Sequence, residues 1–95
     1  MFIITLRYTG TLEEVDAHLE AHVAWLHQGV ADGWLMLAGR QVPRTGGLLI
    51  ACGGDRDVIV AKAATDPFVV HGVAEMTVVE VAAGVVAPGL EMLKG

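Results

Sequence analysis

Two histidines stand one helical turn apart in a chain that is otherwise mostly aliphatic. His18 and His22 lie in the stretch AHLEAHVAW, and Asp66 follows far downstream, directly before a proline. An imidazole titrates near neutral pH, so it can take up and return protons during a reaction. A carboxylate beside it can orient the ring and stabilise its charged form. The residue types therefore suggest a proton-transfer site built from His22 and Asp66.

Each of these residues also has a purely structural explanation. A histidine at the boundary of a helix is often only a hydrogen-bonded residue between core and solvent. Asp66 precedes Pro67 and can cap a short helical turn, a role worth about 1 kcal/mol. The two roles of Asp66 can coexist, because one oxygen can cap while the other accepts from His22.

The spacing of His18 and His22 would also let two imidazoles share a metal ion. The residues between them are Leu-Glu-Ala, so the His-Glu-x-x-His pattern of zinc peptidases is absent. A third ligand would have to come from Asp66, His71 or Glu14. We therefore predict no metal site, with a metal-dependent protein that uses His18 and His22 as the alternative. Proton transfer by His22 and Asp66 would need no cofactor.

The helix that carries the histidines is predicted to open at Thr11 and to run to about Ala31. Glu14, three residues after Thr11, completes a capping-box pattern. The apolar residues recur every three or four positions: Leu12, Val15, Leu19, Val23, Leu26 and Val30. On a helical wheel this stripe centres near Leu19 and places His22 at its shoulder, beside Trp25. His22 is thus expected where the core meets a cleft, with Trp25 as a candidate substrate contact.

The remaining elements predict an α+β fold. Strands are expected at Phe2–Tyr8, Trp34–Gly39, Leu48–Cys52 and Glu75–Ala82, a second helix from Arg56 to about Thr65, and a short helical piece at Pro67–His71. The order β-α-β-β-α-β is that of the ferredoxin-like fold, with an antiparallel four-stranded sheet and the helices on one face. The 95 residues are expected to form a single domain, residues 1–95.

Both faces of the predicted sheet carry apolar residues, although the helices can cover only one face. In the first strand Phe2, Ile4, Leu6 and Tyr8 alternate with Ile3, Thr5 and Arg7. Hydrophobic residues make up 54% of the chain, which is more than one small core needs. The uncovered face is therefore expected to pack against the same face of a second copy, giving a homodimer.

Charge and composition narrow the classes of partner. Six basic against eleven acidic residues give a formal net charge of −5, and no basic stripe suited to nucleic acid or an anionic membrane is visible. No apolar run is long enough to span a bilayer, and the first residues do not have the pattern of a signal peptide. The single cysteine, Cys52, fits a reducing environment, so a cytoplasmic location is expected. The absence of serine excludes a serine nucleophile.

A small anionic ligand remains compatible with the net negative charge, because arginines can converge locally. Arg7, Arg40 and Arg44 are the candidates for such a group. Of these, Arg7 and Arg40 are predicted as substrate contacts.

In their order along the chain, several short motifs resemble the YciI-like family (the YCII-related domain), in the dimeric α/β-barrel group of ferredoxin-like folds. The motifs are Ala21-His22-Val23 with Leu26, Gly33 with Leu35, Leu37-Ala38-Gly39, Gly46-Gly47, Asp66-Pro67-Phe68 and Gly72-Val73. Many members have proline where this chain has Arg40 and alanine where it has His71. His18 is not part of the shared pattern.

The resemblance implies a dimer that packs sheet against sheet and an active-site pair that corresponds to His22 and Asp66. Some relatives are lyases or dehalogenases of chlorinated aromatic breakdown products, and muconolactone isomerases share the broader fold. We therefore expect a cofactor-independent lyase, dehalogenase or isomerase that transfers a proton on a small anionic organic substrate. The alternative is a non-catalytic ligand-binding or accessory module in which the same pair only shapes a pocket.

Overall fold

The four strands form one antiparallel sheet. The computed structural model describes all of residues 1–95. The strands are β1 (Phe2–Tyr8), β2 (Leu35–Arg40), β3 (Gly46–Ala51) and β4 (Ala74–Glu80), in the spatial order β2-β3-β1-β4. Each neighbouring pair runs antiparallel. This is the ferredoxin-like α+β arrangement, so the predicted fold class is confirmed.

Four helices connect the strands. They are α1 (Leu12–Ala17), α2 (Leu19–Ala31), α3 (Arg56–Ala63) and α4 (Pro67–Val70), and a single 3₁₀ turn at Glu91–Leu93 lies near the end of the chain. The predicted capping box is present: the Thr11 hydroxyl accepts from the Glu14 amide, and the Glu14 carboxylate accepts from the Thr11 amide. None of the helices has both the length and the apolar character needed to cross a bilayer.

The sequence predicts one continuous helix to Ala31, but the structure breaks it at His18. The backbone there has φ −111° and ψ 7°, and the His18 amide donates to the Val15 carbonyl, only three residues back. A helical wheel assumes a constant rotation per residue along one helix. Because the helix breaks at His18, a different set of residues in α2 faces the core. In α2 the buried residues are His22 and Gly29, whereas Val23 on the predicted stripe is 39% exposed.

The core lies between the helices and one face of the sheet. In β1 the side chains of Phe2, Ile4 and Leu6 are buried toward the helices, as the alternation along a strand requires. The core forms two clusters, and Met76 packs against both of them. Phe68 of α4 is fully buried in the second cluster, so this short helix is fixed against the sheet. That attachment determines where Asp66, the residue before α4, is held.

The opposite face of the sheet carries no helix. The strand register places a row of apolar side chains across all four strands on this face: Leu37, Ile50, Ile3 and Val79. Leu37 and Val79 are each 50% exposed. Toward the end of β1 this surface becomes polar, and there Arg7 of β1 stands opposite Glu75 of β4. We call this surface the open face.

Candidate active site

The helices α2 and α4 bring His22 and Asp66 into contact across 44 positions of sequence. Asp66 is the N-cap of α4: its Oδ1 accepts from the Phe68 amide at 3.0 Å, and Pro67 occupies the first helical position. The same oxygen lies 2.7 Å from Nδ1 of His22. The side chains are 10% and 0% exposed, so the pair is almost fully removed from water. Asp66 therefore combines the capping role and the histidine contact on a single oxygen.

The hydrogen bond determines which nitrogen of His22 is free. A carboxylate can only accept, so the ring carries its proton on Nδ1 and donates it to Asp66. Nε2 then bears the lone pair, and it makes no hydrogen bond within the protein. The buried carboxylate stabilises the positive charge that the ring gains when Nε2 takes up a proton. Oδ2 of Asp66 is buried and has no hydrogen-bond partner, so His22 is the main side chain that stabilises the negative charge of this carboxylate.

An aromatic ring fixes the plane of the imidazole. The Phe68 ring stacks on His22 with centroids 3.9 Å apart and an angle of 10° between the planes. Trp25 lies further away, with its centroid 6.3 Å from that of His22. Its Nε1 donates to the Thr65 hydroxyl at 2.9 Å, which directs the indole toward the turn between α3 and α4. Phe68 therefore orients the histidine more directly than Trp25 does.

His22 lines a hollow of about 260 Å³ between α2 and the sheet, which we call the His22 pocket. Its walls are mostly apolar and come from α2, β1, β2 and β3. Gly47 faces the pocket between Leu6 and Arg40 on the neighbouring strands, and its lack of a side chain leaves space there. The arrangement places His22, whose Nε2 makes no hydrogen bond within the protein, in the wall of a small, largely apolar cavity, as proton transfer to a small organic molecule requires.

Two guanidinium groups line the same pocket, and none of its lining residues is acidic. Arg40 extends from the end of β2, opposite Gly47. Arg44, in the loop between β2 and β3, donates to Asp16 at 2.5 Å and lies over the Tyr8 ring at 5.7 Å. The hydrogen bond to Asp16, followed by the neighbouring Tyr8 side chain, raises the pKa of Arg44 above its ordinary value. The pocket therefore presents positive charge to a ligand at any physiological pH.

The structure does not bring Arg7, a predicted substrate contact, to this pocket. Arg7 lies on the open face because it alternates with Leu6 along β1, and it pairs there with Glu75 at 2.6 Å. Trp25 stands beside His22 but outside the pocket lining, whereas Arg40 does line it. Tyr8 also lines the pocket and was not a predicted site residue. Arg44 lines it too; it was one of the three arginines considered for an anionic ligand but not one of the two predicted substrate contacts. The period of β1 could have indicated Tyr8, since it shares the face of Leu6.

The structure does not place His18 and His22 so that they could share a metal ion. The His18 ring stacks instead on His71, with centroids 4.0 Å apart and planes 8° from parallel. The stack joins the break before α2 to the residue that ends α4. No group of three or more histidine, cysteine, aspartate or glutamate side chains is placed to hold a metal ion.

Comparison with known proteins gives a family and a fold. The model of the YCII-related domain family matches residues 1–82. No curated protein matches the sequence. Among solved structures, the chain is similar to the 5-chloro-2-hydroxyhydroquinone dehydrochlorinase of Burkholderia phenoliruptrix AC1100, in complex with 2,5-dihydroxybenzoquinone. The TM-score is 0.71 at 22% identity, over 88% of this chain and 96% of the other.

Proposed function

The chain belongs to the YCII-related domain family, and we propose that it is a small-molecule enzyme in which His22 transfers a proton on a small anionic substrate. The reaction is an elimination, such as loss of hydrogen chloride, or an isomerisation. Asp66 is the positioning residue for the imidazole. The observation that carries the proposal is the buried 2.7 Å contact between Nδ1 of His22 and Asp66, which leaves Nε2 free beside a pocket.

The chemistry balances without a cofactor. In an elimination, Nε2 of His22 takes a proton from the substrate, and the electron pair left behind forms a new double bond. The carbon–chlorine bond breaks, and chloride leaves with its electrons. In an isomerisation, the same proton returns to a different atom of the substrate. General acid–base catalysis of this kind contributes typically about 10²–10⁴-fold to a rate.

The charge of the pocket supports an anionic substrate. Arg40 and Arg44 line it, no acidic residue does, and the other walls are mostly apolar. A planar organic anion would gain apolar burial and pairing with a cation at once. The similar dehydrochlorinase acts on a chlorinated hydroxyhydroquinone and is bound to a dihydroxyquinone. Hydroxyquinones ionise readily, so this class of compound fits the proposed charge.

The test compares the native protein with His22→Gln on 5-chloro-2-hydroxyhydroquinone. Released chloride is measured, together with incorporation of deuterium from solvent into substrate that has not lost chlorine. We expect the native protein to show one of these activities. The rate of that activity should be lower by at least about 100-fold in His22→Gln. Arg7→Gln is the matched control, because Arg7 lies on the open face, and it should keep native activity. Equal activity of His22→Gln and the native protein would remove the proposed role of His22.

The second candidate is a ligand-binding or accessory module without catalysis. The observation that favours it is the His22 pocket itself, since a cavity of about 260 Å³ with mostly apolar walls and two arginines is what ligand binding needs, with or without proton transfer. In that case 2,5-dihydroxybenzoquinone would raise the melting temperature, yet neither chloride release nor deuterium exchange would occur. Those two results together would replace the enzyme proposal by the binding proposal.

We also propose that the protein is a homodimer that packs its open face against the open face of a second copy. The row Leu37, Ile50, Ile3 and Val79 supports this, since it crosses the whole sheet without a covering helix. A two-fold axis would place each row against its own copy.

A further inference from the structure

We propose that Arg44 exchanges partners on binding, leaving Asp16 and taking the anionic group of the ligand in the His22 pocket. The inference deepens the proposed function, because it assigns a specificity residue to the same pocket. It requires only that an anion binds there, and it does not depend on catalysis by His22.

The first support is the position of Arg44 between the pocket and the outside. Its guanidinium lies over the Tyr8 ring while Nη2 donates to Asp16 of α1. Arg44 and Tyr8 both line the pocket, whereas Asp16 does not. Asp16 thus holds the guanidinium from outside the pocket, so a ligand can enter the pocket before Arg44 leaves Asp16.

The second support is that only part of the guanidinium group of Arg44 has a hydrogen-bond partner. Nε of Arg44 is buried and has no hydrogen-bond partner, which is an unfavourable state for a charged donor. The single bond to Asp16 uses Nη2 alone. A carboxylate or enolate in the pocket could accept from Nε and one Nη nitrogen together, in the fork geometry that arginine prefers. The ligand would therefore accept a hydrogen bond from Nε of Arg44, which has no partner in the free protein.

The third support is the weakness of the bond that must be given up. The Asp16 side chain is 51% exposed, and ion pairs in such surroundings contribute little because water screens them. The Tyr8 ring can remain against the guanidinium while the hydrogen-bond partner changes. The exchange replaces a solvated contact by one in a largely apolar pocket, so it favours the ligand.

The experiment measures dissociation constants for two probes by absorbance titration. The anionic probe is 2,5-dihydroxybenzoquinone, and the uncharged probe is 2,5-dimethoxybenzoquinone. We expect Arg44→Gln to weaken binding of the anionic probe at least about tenfold, and Arg44→Lys to lose most of that affinity because an ammonium lacks the fork. Asp16→Asn should strengthen binding about threefold, since the competing partner has lost its charge. Arg7→Gln should match the native protein, and binding of the uncharged probe should be unchanged in every variant.

The sign of the Asp16→Asn effect is decisive. A fixed Asp16–Arg44 pair that orients the guanidinium would make this variant bind more weakly, so weaker or unchanged binding would overturn the exchange. Native-like binding by Arg44→Gln, or no binding of the anionic probe by the native protein, would overturn it as well. Loss of the proposed catalytic role of His22 in the turnover test would leave these affinities, and hence the exchange, intact.

Discussion

Two carboxylates on opposite faces of the same sheet each contact a nitrogen donor at nearly the same distance. His22 and Asp66 are 2.7 Å apart on the helix side, and Arg7 and Glu75 are 2.6 Å apart on the open face. The side chains of the first pair are 10% and 0% exposed, and those of the second are 70% and 67% exposed. Distance alone does not distinguish the two pairs, but their surroundings do.

The comparison teaches that burial decides what a carboxylate and its nitrogen partner can do together. The Arg7–Glu75 pair stands at the polar end of the open face, away from the row of Ile3, so water screens it and such pairs contribute about 0–1 kcal/mol. Breaking a buried pair leaves a charge without a partner and costs about 3–5 kcal/mol. The same removal of water lets the carboxylate act strongly on the imidazole beside it. The sequence contains both pairs, yet only the helix-covered face makes one of them a candidate for chemistry.

The largest expected effect on stability comes from Asp66→Ala. We expect a loss of about 3 kcal/mol, because the change removes the cap of α4, worth about 1 kcal/mol, and leaves the buried Nδ1–H of His22 without an acceptor, which costs about 1–3 kcal/mol. Glu75→Ala on the open face should cost less than about 1 kcal/mol. Urea unfolding measures both values. If Asp66→Ala does not fold, Asp66→Asn serves instead, and a loss no larger than that of Glu75→Ala would contradict the comparison.

The second prediction concerns the open face itself. If a second copy covers this face, Ile50→Asp places a charge in the centre of the interface, between Ile3 and Leu37 on the neighbouring strands. We expect it to weaken self-association at least about 100-fold, or about 2.7 kcal/mol. Sedimentation velocity over a range of concentrations measures this. Val42→Asp is the matched control, because Val42 is 96% exposed in a loop, and it should leave association unchanged. A native protein that stays monomeric would remove the proposed dimer.

The third prediction isolates the ring that supports His22. Phe68→Leu keeps an apolar side chain but removes the stack on the imidazole, so we expect a loss of about 1–2 kcal/mol of stability. Turnover should fall further than the stability loss explains, because the plane of the imidazole is no longer fixed. Val69→Leu, a half-buried neighbour in α4, provides the control for packing. Equal turnover of the two variants would show that the stack does not position His22.

The smallest expected effect comes from a third carboxylate, at the start of α1. Hydrogen bonds to the backbone and side chain of Thr11 lower the pKa of Glu14 below its ordinary value of 4.5. The folded state therefore gains stability above pH 4.5 and loses it as the pH falls through the lower folded value. Thr11→Ala should cost about 1 kcal/mol at neutral pH through loss of the hydroxyl cap. It should reduce the acid dependence only in part, because the substitution keeps the backbone amide that lowers the pKa of Glu14 most. Denaturant unfolding at several pH values, with an NMR titration of Glu14, measures both; an unshifted titration in the native protein would contradict the prediction.

Local patterns were sufficient to predict most of the fold. The alternation in Phe2–Tyr8 gives the strand with the bounds that the structure shows, and the capping box at Thr11 is where the sequence placed it. These features depend on neighbouring residues alone. The bend at His18 is different, because the ring there stacks on His71, 53 positions away. A helical wheel contains no such contact, so it placed Val23 on the buried face and underestimated the burial of His22.

The site divides in the same way. Residue type and the order of short motifs were sufficient to select His22 and Asp66 as a pair, and the structure brings them together. The same information could not select the right arginines, because the charge of a side chain does not tell which face of the sheet it occupies. Arg7 lies on the open face, Arg40 lines the pocket, and Arg44 reaches it from a loop.

By itself, the amino-acid sequence determined the types of element, their order and the residues able to move a proton, because these follow from side-chain chemistry and from repeats a few residues long. Only the tertiary structure decided that one carboxylate would cap α4 and hold an imidazole on a single oxygen, and which guanidinium groups would share their pocket. Those contacts join residues far apart in the chain. Their geometry is set by how the helices pack on the sheet, and no local pattern carries that information.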